Sequence, residues 1–143
     1  MALESALDYS GFGGGSAAQV YNEAAFRYFL AIDRSRLRRL ERSIVLVLVS
    51  VRQGAGRSAP IADTHAAALF DGLAGSVREV DFIGWYQHGR VAGAVLPQAG
   101  LASREERRLI AGRIGASLQR CLPRDITPRL HVRAVCLGGK VES

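Results

Sequence analysis

The sequence predicts an α+β fold: a ferredoxin-like βαββαβ arrangement, in which an antiparallel four-stranded sheet carries two helices on one face and is preceded by an N-terminal helix. Three stretches lead to this reading. SIVLVLVSVR (43–52) is a continuous β-branched and leucine run, too short for a core helix and suited to a central strand buried on both faces. REVDFIGWYQHGRVAGAVLP (78–97) reads as a hairpin whose bend falls on His88-Gly89, where glycine can take a positive φ. Ser103-Arg-Glu-Glu106 has the S-x-x-E capping-box spacing ahead of Leu109, Ile110, Ile114 and Leu118, which predicts a helix over 104–120.

The remaining elements follow in chain order. Residues 1–18 are rich in glycine and serine, with GFGGGS at 11–16, and lack apolar periodicity; they are expected to form a mobile arm ahead of a single domain spanning 19–143. GFGGG lacks both a GK[ST] ending and a preceding strand, so it is not a phosphate loop. Phe26, Leu30, Leu37 and Leu40, widened by Phe29 and Ile32, make an apolar stripe that predicts a helix over 21–42. Its other face carries Arg34, Arg38 and Arg42, expected to be solvated or paired with Asp33 and Glu41. A loop at 53–60 separates the first strand from a helix over 63–74, with Asp63 as its expected N-cap and Leu69, Phe70 and Leu73 turned inward. The hairpin strands are expected at 79–87 and 90–96, closed by Pro97. Alternation of Leu130, Val132, Ala134 and Cys136 with His131, Arg133 and Val135 predicts a last strand over 128–137.

Composition bounds the function. The 143 residues suffice for one core, and the longest purely apolar run, Ile44 to Val49, is far too short to span a membrane. The N-terminus carries Glu4 and Asp8 and lacks a secretory pattern, so a cytoplasmic location is expected. Cys121 and Cys136 show no metal-ligand or disulfide spacing and are expected to be buried thiols; no cofactor motif is present. The net charge of +6 rests on 18 arginines and one lysine against 13 acidic residues. Nucleic-acid binding through Arg34, Arg36, Arg38, Arg39 and Arg42 is thus a possible reading, with a solvated mixed-charge surface as the stronger one. His65, His88 and His131 belong to no base-nucleophile or metal-ligand grouping, and Trp85 and Tyr86 should point to opposite faces of their strand.

The arginine-rich helix leading into IVLVLVSVR, the RxxD of Arg78-Glu-Val-Asp81, the FIGWY strand and the AVLP strand at 94–97 resemble the GGDEF domain of diguanylate cyclases, bacterial signalling proteins with the nucleotidyl-cyclase palm, over roughly Phe26 to Leu137. The resemblance implies where chemistry would sit. It places the metal-binding aspartate of the first strand at Ser50, the next aspartate at Arg52, and the signature turn on Gln87-His88-Gly89-Arg90-Val91, none of them acidic. The guanine-binding segment expected within 53–70 has no counterpart. A divalent ion beside an arginine meets like-charge repulsion, about 4 kcal/mol for unit charges ~4 Å apart at an effective dielectric near 20. The resemblance therefore implies a shortened, non-catalytic signalling or adaptor domain, acting through protein association or self-association along helix 21–42. Arg78 and Asp81 match the family's inhibitory site and imply a possible cyclic di-GMP site; an ordinary ion pair between the two is the competing expectation.

Overall fold

The computed structural model describes residues 19–37, 42–54 and 56–138. The expected arm at 1–18 lies outside the described residues, as do Arg38, Arg39, Leu40 and Glu41. In chain order the elements are β1 (Val20–Tyr21), α1 (Glu23–Leu37), β2 (Ser43–Gln53), β3 (Arg57–Ser58), α2 (Asp63–Ala74), β4 (Phe82–Gln87), β5 (Val91–Gln98), α3 (Arg104–Cys121) and β6 (Leu130–Leu137), with a 3-10 turn at Thr127–Arg129. The architecture is mixed α+β.

β2 is central, as its uninterrupted apolar run requires. It pairs antiparallel with β5 on one side and β6 on the other, β4 lies beyond β5, and β1 adds a short parallel strand outside β4. The pleat sorts β2 into two sets. Val45, Val47, Val49 and Val51 face one core with Leu69, Phe70, Leu73, Trp85, Ile114 and Leu118; Ile44 and Leu46 face a second with Phe26, Leu30, Leu37 and Val95. Helices α2 and α3 therefore cover one face, and α1 covers the other. The stripe of α1 is spent within the domain, because Phe26, Leu30 and Leu37 are all buried against the sheet. Close approach makes this possible at Gly93, where an added Cβ would lie 2.6 Å from the tip of the Phe26 ring.

Several local expectations are corrected. Asp63 is the first residue of α2 and not its cap; Ala62 holds that position and makes no side-chain cap bond. Leu109 is 64% exposed, so the inward stripe of α3 narrows to Ile110, Ile114 and Leu118. Cys121 is exposed and Cys136 only half-buried, in place of two buried thiols. The short strands β1 and β3 fall at the expected start of the first helix and within the expected 53–60 loop, since neither dipeptide carries a periodic signal. The capping box of α3 is present in full, with Glu106 N donating to Ser103 Oγ and Ser103 N donating to the Glu106 carboxylate.

β4 starts at Phe82, three residues later than expected, because Arg78 to Asp81 forms a turn closed by Asp81 N donating to Arg78 O at 3.0 Å. β5 runs through Pro97 to Gln98. Proline is tolerated there because the β4 ladder begins opposite Val95, so no neighbour on that side asks Pro97 for an N–H.

Candidate functional site

The two places singled out in the sequence lie at opposite ends of β4, about 20 Å apart at ~3.3 Å per residue. At its start, Arg78 and Asp81 form a bidentate pair: Arg78 Nε donates to Asp81 Oδ2 at 3.2 Å and Nη2 to Oδ1 at 2.9 Å, while the Arg78 backbone N–H donates to Oδ2 at 2.6 Å. Nη2 also donates to the carbonyl of Pro97 at 2.7 Å, satisfying an acceptor that β4 does not reach. The Asp81 side chain is 0% exposed and that of Arg78 is 55% exposed. The Asp81 hydrogen bond raises the Arg78 pKa beyond its already high value, so the guanidinium is a permanent cation. The pair is thus both a turn closure and a rigidly aimed, half-exposed arginine. The same hydrogen-bonding groups that a ligand would use are already engaged within the chain.

At the other end, the bend at 87–90 is closed by Arg90 N donating to Gln87 O at 3.0 Å, with Gly89 at φ +73 as the spacing of the hairpin required. The segment after β2 folds back onto this bend. Ala59 N donates to Val51 O at 2.7 Å, Ile61 N donates to Gly89 O at 2.7 Å, and Arg90 Nη1 donates to Ser58 O at 2.7 Å. Ser50 stands in register with Val91 on one side and His131 on the other. Two residues on, Arg52 Nη2 lies 3.0 Å from His131 Nε2, and Arg52 O accepts from Arg129 Nε at 3.0 Å. Arginine has only donors to offer, so His131 Nε2 accepts and the imidazole is neutral. Its pKa is lowered, chiefly by burial and further by the charges of Arg52 and Arg133.

The donor set at the corner assigned to a divalent ion is therefore a serine hydroxyl and guanidinium groups. It does not fit magnesium, which takes carboxylate, phosphate and water oxygens. Among the described residues no group of three or more His, Cys, Asp or Glu side chains could hold a metal ion.

The start of α1 is fastened to the bend. Arg27 sits over the Tyr86 ring at 4.3 Å and donates from Nε to Tyr86 O at 2.8 Å, and Glu23 accepts from His88 N at 2.7 Å. Trp85 points the other way, into the α2/α3 core, edge-on to Phe70 at 5.0 Å between ring centres.

No family model and no curated protein matches the sequence. Among solved structures, the GGDEF domain of DgcB from Caulobacter crescentus, in complex with c-di-GMP, superimposes with a TM-score of 0.55. The match covers 89% of this chain and 77% of that one, at 11% sequence identity. The fold is GGDEF-like. At that identity the likeness concerns the path of the chain and leaves every side-chain role to be argued from this molecule.

Sequence reasoning placed Arg78 with Asp81 and put Ser50, Arg52 and Arg90 near one another. It did not join His131 to Arg52. The signal was available in the alternation of β6, which sets His131 and Arg133 on one face, but only the β2–β6 register brings that face beside Arg52. The fastening of α1 through Glu23 and Arg27 has no sequence signature, since it joins residues about 60 positions apart through a backbone carbonyl and a backbone N–H.

Proposed function

We propose that this chain is a non-catalytic GGDEF-like signalling domain that works by association in the cytoplasm. The observation that carries the proposal is the corner formed by Ser50, Arg52 and the 87–90 bend, where guanidinium groups stand in place of carboxylates and the segment 58–61 is hydrogen-bonded across the bend. Magnesium-bridged triphosphate chemistry needs acidic oxygen ligands to gather the ions, and a cationic corner disfavours them. Incubation with GTP or ATP and Mg²⁺ or Mn²⁺ is expected to yield no cyclic product, and any turnover that disappears on Ser50 or Arg52 substitution would refute the reading. Association would use the outward side of α1, where Tyr28, Ala31 and Ser35 are exposed along one line, because the inward stripe is already covered. Size-exclusion chromatography with light scattering tests this: a complex or dimer weakened by Tyr28→Glu supports it, and a monomer that captures no partner through this face opposes it.

A second reading has its own support. Arg78 is half-exposed and held in a fixed direction by a buried carboxylate, and the solved GGDEF domain of similar fold was crystallised with c-di-GMP. In this reading Arg78 contacts a phosphate of cyclic di-GMP and keeps its Asp81 fork, giving up the Pro97 carbonyl. Charge-assisted contacts of this kind contribute roughly 1.5 to 3 kcal/mol each. Titration calorimetry with cyclic di-GMP should then show heat that Arg78→Ala abolishes; absence of heat at high micromolar ligand removes the sensor reading and leaves the adaptor reading standing.

A further inference from the structure

α1 crosses its face of the sheet diagonally. Its start lies beside Tyr86 and His88 at the bend end of β4, and its last residue, Leu37, lies beside Gly138 just past the far end of β6. A diagonal helix leaves one corner of that face bare, on β2 and β6 at the bend end. The pleat and register fill this corner with one kind of charge. Ser50 opposes His131 and Leu48 opposes Arg133, so Arg52, His131 and Arg133 share the α1 side of the sheet. Arg129 is drawn in by its bond to the Arg52 carbonyl. Ser58 is in register with Arg52, and its carbonyl accepts from the Arg90 guanidinium.

The four arginines Arg52, Arg90, Arg129 and Arg133 are all exposed, and among the described residues none has a carboxylate at ion-pair distance. Where the chain does pair arginine it does so with acids supplied locally, as Glu23 for Arg27 and Asp81 for Arg78. This corner has no such acid and even turns a histidine nitrogen toward Arg52. Cations gathered without counter-charge repel one another, and the repulsion is relieved by an anion that engages several at once. Planar guanidinium forks match phosphate oxygens, and a flat, open ledge suits a chain of phosphates better than one enclosed group. Arg133 stands two residues, about 7 Å, along β6 from the His131 that faces Arg52, so the arginines are spread along the strand as a track.

We infer that the bare corner of the sheet, centred on Arg52 and bordered by Arg90, Arg129, His131 and Arg133, is a binding surface for the phosphodiester backbone of single-stranded nucleic acid. The surface is distinct from the arginines of α1 and α3, and it neither requires nor excludes the association proposed above.

The test is fluorescence anisotropy with a labelled single-stranded oligouridine 20-mer and the full chain, titrated with salt from 50 to 200 mM. Binding should weaken with a log–log slope near −0.7 for each neutralised phosphate. The Arg52→Ala/Arg133→Ala double variant should bind on the order of tenfold more weakly at 100 mM salt and lose about 1.4 from that slope. An equal-charge control, Arg108→Ala/Arg113→Ala on exposed positions of α3 across the sheet, should change affinity less than about threefold and keep the slope. Arg52→Lys/Arg133→Lys should retain the slope, separating charge from any disturbance of folding. Absence of binding at 50 mM salt, or equal losses in the corner variant and the α3 control, would overturn the inference, the latter by showing attraction to net charge alone.

Discussion

The two faces of the sheet are closed in different ways. On one, α2 and α3 pack side by side over Val45, Val47, Val49, Trp85 and Ala94, and the core is continuous from Val51 to Leu73 and Ile114. On the other, one helix lies across Ile44, Leu46 and Val95 and relies on Phe26, Leu30 and Leu37 to fill the space. Two helices make a sealed layer that serves stability. A single diagonal helix seals less and leaves backbone register free to gather polar groups at the uncovered corner. The guanidinium-lined corner and the outward line of α1 both lie on the singly covered face.

The comparison can be broken most directly in the sealed core. Trp85→Ala removes the ring packed edge-on against Phe70 and should cost about 3–5 kcal/mol in denaturant unfolding. Gly93→Ala acts on the opposite face, where the new methyl meets the buried Phe26 ring; a loss of about 1–3 kcal/mol is expected. If Gly93→Ala cost as much as Trp85→Ala, the two faces would not differ in the way described. Arg27→Ala removes the stack on Tyr86 and the bond to its carbonyl, both near the surface, and should cost about 1 kcal/mol while increasing hydrogen exchange at Gln87 and His88.

The smallest effects come from titration on the α1 side. Burial raises the Asp33 pKa, opposed by Arg36, so the unfolded chain gives up that proton first and the folded state loses stability as pH rises above about 3.8. Asp33→Asn should then raise the unfolding midpoint at pH 7 by the equivalent of about 0.5 kcal/mol or less. His131 has the opposite sign. Its folded pKa lies below the ordinary 6.5, so on acidification the unfolded chain takes up the proton first. Stability should fall as pH drops below about 6.5 until His131 itself protonates, and His131→Gln should flatten that part of a thermal-melt series.

How much of this was legible in the sequence follows from the range of each interaction. β2 was readable because each of its residues repeats one signal. The α3 start was readable because a capping box is complete within four residues. Asp63 misled because an acid at the first helical position and an acid at the cap differ by one residue and give the same pattern. Leu109 misled because periodicity marks a stripe without saying how wide a neighbour will cover. The RxxD pair was legible as a spacing, and its internal bidentate geometry was one of the two expectations that spacing allowed. The cationic corner was legible only in part: the resemblance set Arg52 near Arg90, whereas Arg129, His131 and Arg133 join them only through the pairing of β2 with β6 and the bond of Arg129 to the Arg52 carbonyl.

Helix α1 is pinned at both extremities: at its start to the hairpin bend by Glu23 and Arg27, and at its finish by Leu37 lodged beside Gly138. It behaves as a strut. The bend it is tied to is joined in turn, through Arg90 and the Ser58 carbonyl, to the short strand beside Arg52, so the rod, the bend and the charged ledge belong to one hydrogen-bonded frame.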